Sequence, residues 1–289
     1  MVIEVSDITK SFGTDLILDH LSFGIKEGEK CALTGINGCG KTTLLRILAG
    51  ESAADSGTIV TASGTAVGYL PQDHETDSDL CLYDFIKEAK APVFEMESRL
   101  RSYEERMKNS SGSELDSLMN SYSILSHEFE LAEGFAAESM IRGTIAGLGF
   151  TEADYGRKIS SMSGGEKTRA ALGRILMDDH DLLMLDEPTN HLDLKAVEWL
   201  ESFLSSYKKA VLLVSHDRFF LDRVVTRVIE LENRKILSYE GNYTVFSQKK
   251  EQLRREQTKA WLKQQAEIRH QEAVIEKLRS FNQIGRAHV

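Results

Sequence analysis

The chain has 289 residues, 41% of them hydrophobic, and a formal charge of −10, enough apolar content for one large core or two modest ones. No apolar run approaches the roughly eighteen residues needed to cross a bilayer, and Met1–Asp7 lacks the basic start and apolar stretch of a signal peptide, so a cytosolic location with no membrane partner is expected. Three cysteines, Cys31, Cys39 and Cys81, are odd in number and lack metal-ligand spacing, which fits free thiols in a reducing compartment.

In chain order, Val2, Ile3 and Val5 open a short strand, Leu16–Leu18 forms a second, and Leu21–Lys30 reads as strand and turn leading into a buried strand at Cys31–Leu33. Phe12, beside Gly13, is either a core side chain or a ring that stacks on a purine. Then comes Gly35-Ile-Asn-Gly-Cys-Gly-Lys-Thr, running into a helix expected over Thr43–Ala49. Its glycines permit positive φ and close approach, so backbone N–H groups of Gly35, Asn37, Gly38, Cys39 and Gly40 can converge on β- and γ-phosphates. Lys41 adds a point charge, Thr42 a hydroxyl for a magnesium ion, and Thr43 lies at the positive end of the helix. Alone, the same spacing also fits an ordinary glycine-rich turn.

Two further strands follow, Gly57–Val60 and Ala66–Gln72, the second ending in Gln72, which can reach a metal or a water in a crevice beside the phosphate loop. Taken singly, Gln72 is an unremarkable strand end. Residues 92–132 change character: Val93, Met96, Leu100, Tyr103 and Met107, then Leu115, Leu118, Tyr122, Leu125 and Phe129, step by three and four on either side of Asn109–Ser113. This predicts a helical hairpin. Each apolar seam is narrow, which favours an arm over a subdomain packed against the core.

Ser163, Gly164 and Gly165 form a second glycine turn, which opens a helix and makes another anion site. Leu182–Leu185 is a buried parallel strand that delivers Asp186 and Glu187 to the sheet edge, Asp186 to hold magnesium through water and Glu187 to orient or deprotonate the attacking water. His216 ends the strand that begins at Ala210, either as a surface residue or as part of the same crevice. From Lys249 the sequence reads as a long, largely solvated helix, with Trp261, Ile268 and Ile275 seven residues apart. Residues 249–289 carry ten Lys/Arg against five Asp/Glu, net +5, leaving −15 for residues 1–248. A polyanion-facing extension and a plain solvated helix both produce that asymmetry.

Phosphate loop, Gln72, Ser163-Gly-Gly-Glu, Leu182–Glu187 and His216, in that order, resemble the nucleotide-binding domain of the ATP-binding cassette (ABC) superfamily. Ser163–Arg169, Asp186–Asp193, Val214–Asp222 and Tyr239–Tyr243 resemble its ABC-F group, over about residues 1–280, with Met162 in place of the usual leucine. The resemblance implies an α/β P-loop NTPase domain over 1–248, with a small antiparallel β subdomain, an inserted arm at about 92–132, and an incomplete helical linker over 249–282. It implies an ATPase using ATP and Mg2+, with Phe12 on the adenine, Gly35–Thr43 on the phosphates, Thr42, Gln72 and Asp186 at the metal, and Glu187, His216 and Gln72 in catalysis. It implies a second cassette on the same chain, whose nucleotide Ser163–Gly165 would cap, and action on the ribosome with its rRNA and tRNA. Without that second cassette, hydrolysis is expected to be slow. A transporter motor shares the five motifs, but it normally lacks the hairpin and the charged rod; DNA-repair ATPases place zinc modules or far longer coiled coils between the motifs. Gly285 breaks the helical pattern, and Gln283–Val289 matches a translated sequencing adapter, so the natural chain is expected to continue beyond about Asn282.

Overall fold

The computed structural model describes residues 1–72 and 76–286, with side chains through residue 275. The first compact unit ends at Asn242, six residues before the expected boundary at 248, and the second begins at Tyr243.

Strands β1 (Ile3–Phe12) and β2 (Asp15–Ile25) open the first unit, followed by β3 (Lys30–Thr34), helix α1 (Lys41–Leu48), β4 (Ser56–Thr61) and β5 (Val67–Leu70). Helices α2 (Leu82–Lys87), α3 (Ala91–Met107), α4 (Ser113–Leu131), α5 (Ala137–Gly147) and α6 (Gly164–Met177) come next. The unit closes with β6 (Leu182–Asp186), α7 (Leu194–Ser206), β7 (Ala210–Val214), α8 (Arg218–Val224), β8 (Arg227–Glu232) and β9 (Lys235–Glu240).

Two sheets form. One is antiparallel, in the order β2-β1-β4; the other runs β5-β6-β7-β3-β8-β9 and is parallel except for the β8–β9 pair. Leu182 and Met184 of β6 share a buried cluster with Leu44 and Leu45 of α1 and with Ile3, Leu18 and Ile25 of the antiparallel sheet. Leu183 and Leu185 alternate to the opposite face and are equally buried. Burial on both faces is what a near-continuous apolar run in a parallel strand requires.

The first two strands are a correction. Separate short segments at Val2–Val5, Leu16–Leu18 and from Leu21 were expected, but β1 and β2 are single strands of ten and eleven residues. Their register shifts between Val5 and Ile8, Ile8 and Lys10, and Lys10 and Ser11, with Asp7 and His20 at positive φ. Bulges of this kind interrupt the two-residue alternation by which a long strand is recognised.

The hairpin is present as α3 and α4, and its two seams meet. Val93 and Leu100 cluster with Leu125 and Phe129, flanked by Met96, Tyr103 and Tyr122, and this cluster is separate from the core beneath the main sheet. Pro92 sits in the first turn of α3, where its missing N–H costs no helical hydrogen bond. The described part of the second unit is one 44-residue helix, α9 (Tyr243–Arg286), on which Trp261, Ile268 and Ile275 are exposed. It continues through Gly285, against expectation. A lone glycine costs a helix only about 1 kcal/mol. Residues 287–289 of the expected adapter segment lie outside the described residues.

Candidate functional site

Parallel strands β3, β6 and β7 lie side by side, so the loops after them open on one edge of the sheet. The loop after β3 is the phosphate loop. A Cβ at Gly35 would lie 2.4 Å from the Leu231 carbonyl oxygen, and one at Gly40, where φ is 107°, would lie 2.7 Å from Ile17 Cγ2. Only glycine fits such a course. Lys41 Nζ is held over the loop, donating to the carbonyls of Gly35 at 2.9 Å and Ile36 at 3.3 Å. Thr42 Oγ1 donates to Asp186 Oδ2 at 3.0 Å, bringing α1 against the end of β6.

Glu187 follows directly, with φ 54° and its backbone N–H donating to Val214 O at 2.8 Å. The His216 backbone N–H donates to Glu187 Oε2 at 3.1 Å, and the exposed imidazole stands 3.6 Å from Oε1. Oε1 is buried and accepts no hydrogen bond among the described residues. Burial raises the Glu187 pKa from its ordinary value; nearby Asp186 adds to this, while the His216 contacts and Lys41 oppose it.

Phe12, Asn37, Gly38, Gly40, Lys41, Thr42, Thr43, Gln72, Asp186, Glu187 and His216 line one cleft of about 490 Å³. Those are eleven of the expected residues, drawn from five separate stretches of chain. Phe12 is more than half exposed, with Lys10 Nζ 5.5 Å from its ring centroid. Gly35 and Cys39 belong to the loop without lining the cleft. Ser163, Gly164 and Gly165 are not part of it either. Ser163 caps α6, its Oγ accepting from the Glu166 N–H at 3.4 Å; its own N–H and Oγ both donate to Glu166 Oε2 at 2.8 Å, and Glu166 Oε1 accepts from Arg157 at 2.9 Å. The Arg157 guanidinium, and then the Ser163 N–H, hold the Glu166 pKa down to about 2.

Ile17, Asn190 and Val214 also line the cleft and were not anticipated. Asn190 lies in Pro188–Asp193, and its N–H donates to Glu187 O at 3.2 Å, closing a turn that places residue 190 beside the carboxylates. The signal was its distance from Glu187, three residues, the span of a reverse turn. Ile17 follows the tight β1–β2 turn and faces the cleft with Phe12, a pairing hidden by the bulges.

A family profile described as ABC transporter matches residues 18–190, and a second of the same description matches 229–288. The chain belongs to the ABC transporter family. Among curated members, ABC transporter F family member 5 of Arabidopsis thaliana is 34% identical over 99% of this chain and 42% of its own length. The energy-dependent translational throttle protein EttA of Mycobacterium tuberculosis (strain CDC 1551 / Oshkosh) is 34% identical over 84% of this chain and 43% of its own. The chain thus spans under half the length of either relative. A solved ATP binding subunit of an ABC transporter superposes with a TM-score of 0.61 at 18% identity, over 83% of this chain and 90% of that one, a likeness of fold. The α/β ABC ATPase fold is therefore the one expected, and the ABC-F resemblance is matched by F-family relatives. Among the described residues, no helix of this ABC protein is long and apolar enough to cross a membrane.

Proposed function

We propose that this chain binds ATP with Mg2+ in the cleft and hydrolyses it, and that it works in the cytoplasm as an ABC-F protein on the ribosome, paired with a second cassette. The observation that carries this reading is the convergence of Lys41, Thr42, Asp186 and Glu187 on one cleft. Thr42 and Asp186 supply hard oxygen donors within 3.0 Å of each other, the donor type that suits Mg2+. When bound, the ion neutralises charge on the phosphates.

The chain's own groups do the rest. Phe12 offers a face to the adenine, and the loop N–H groups with Lys41 hold the phosphates. Glu187 takes a proton from the attacking water, a task suited to a carboxylate whose buried surroundings raise its basicity. His216 keeps that carboxylate in place, and Gln72 orients the water. Ser163–Gly165, outside the cleft, would cap a nucleotide held by the second cassette. The similarity to EttA, a translational throttle protein, supports the ribosomal part of this proposal.

The test is sedimentation of the Glu187→Gln chain from cell lysate, with and without ATP. ATP-dependent recovery with ribosomes is expected. Recovery with membranes, or no change on adding ATP, would overturn the ribosomal role.

A further inference from the structure

The loop after β6, residues 187–193, contains two non-glycine residues in left-handed conformation, Glu187 at φ 54° and His191 at φ 65°. Such backbone persists only where its neighbours hold it. Within the loop, Asn190 N–H donates to Glu187 O and Leu192 N–H to Thr189 O, both at 3.2 Å, so it is two consecutive closed turns. At one end Glu187 is tied to β7 through Val214 O. At the other, Asp193 Oδ1 caps α7 by accepting from Ala196 N–H at 2.9 Å.

Helix α6 holds the middle. Arg169 Nη1 donates to His191 O at 3.2 Å, and the guanidinium centre lies 5.0 Å from the Phe150 ring centroid, which fixes the plane from which it donates. A Cβ at Gly165 would lie 3.3 Å from His191 Cβ and 3.4 Å from Cγ, so the His191 side chain rests against the helix backbone. Arg169 also lines, with Gln72, Asp186, Glu187 and Asn190, a cavity of about 10 Å³ beside the carboxylates.

We infer that Arg169 is a positioning residue for Glu187: from helix α6 it clamps His191 in the left-handed conformation, and so fixes the turn that sets where the Glu187 carboxylate stands. Arg169 does not line the nucleotide cleft, so its loss acts through the loop and not through nucleotide binding. The catalytic consequence rests on the ATPase reading above, whereas the clamp itself does not.

The test uses the intact chain with Arg169→Ala and Arg169→Lys, measuring hydrogen exchange across 187–193, binding of the fluorescent nucleotide mant-ATP, and ATP turnover. Arg169→Ala is expected to speed exchange at Asn190 and Leu192 about tenfold or more, to leave mant-ATP affinity within about twofold, and to lower kcat about tenfold at unchanged KM. Arg169→Lys keeps a donor for the His191 carbonyl and is expected to recover most of both losses. Unchanged exchange in Arg169→Ala overturns the inference, as does a fall in nucleotide affinity by the same factor as turnover. If the unmodified chain turns over no ATP, the ATPase reading fails by itself, and the exchange result still decides whether Arg169 holds the loop.

Discussion

Thr42 and Asp186 are 144 positions apart in sequence, yet the threonine hydroxyl donates to the aspartate carboxylate at 3.0 Å. That bond joins the first turn of α1 to the last residue of β6, so the fold places two oxygen donors together where the phosphate loop opens. A hydroxyl already aligned on a carboxylate is a short step from two ligands on one hard cation.

Asp186→Asn therefore acts mainly through the metal. In the presence of Mg2+, nucleotide affinity is expected to fall about tenfold or more, roughly 1.4 kcal/mol. With EDTA the variant and the parent are expected to bind nucleotide alike, which titration calorimetry under both conditions checks.

Glu187→Gln is expected to lower turnover about a hundredfold or more by removing the base, while nucleotide binding persists. It also carries a stability signature. Burial raises the Glu187 pKa, so the folded state holds the proton more tightly than the unfolded chain, and stability is lost as pH rises through the raised value. The glutamine variant should thus melt above the parent at neutral pH. That advantage should shrink as pH falls toward the ordinary carboxylate value of 4.5, which thermal scans across the range read directly.

Glu166 has the opposite sign. Arg157 and the Ser163 N–H hold its pKa at about 2, so the contribution of this network is full above about 4.5 and is lost as pH falls toward 2. Arg157→Ala is expected to move the Glu166 carboxyl titration, followed by carbon NMR, up toward its ordinary value. A titration that stays near 2 would assign the shift to Ser163 alone.

The hairpin should respond by itself. Leu125 is buried in a cluster built from α3 and α4 with Ala137 at the start of α5, apart from the core under the main sheet. Leu125→Ala is expected to cost about 2–5 kcal/mol of local stability. Hydrogen exchange should rise across 91–131, while the β6 and β7 amides keep their protection.

Much of this was legible in the sequence, for reasons specific to each element. The phosphate loop carries its conformation in its glycines, β6 carries its burial in an unbroken apolar run, and α3 and α4 carry their seams in the spacing of Val93 to Met107 and Leu115 to Phe129. The β1–β2 pair was not legible at full length, because bulges at Asp7 and the residues after it erase the alternation. Helix α9 begins at Tyr243 and runs past Gly285, since one glycine is too weak a signal to end a long helix. The same irregular register hid Ile17, whereas Asn190 escaped for a different reason. It reaches the cleft through a tight turn, and turn geometry decides facing at a scale finer than hydrophobic period.

The most direct measurement is a calorimetric titration of the chain with ATP and Mg2+, alongside its Lys41→Ala variant. The account predicts one nucleotide per chain in the parent, and affinity at least about tenfold weaker in the variant, which lacks the charge that meets the phosphates. Absence of binding in the parent, or equal binding by both proteins, would contradict the assignment of the cleft as an ATP site.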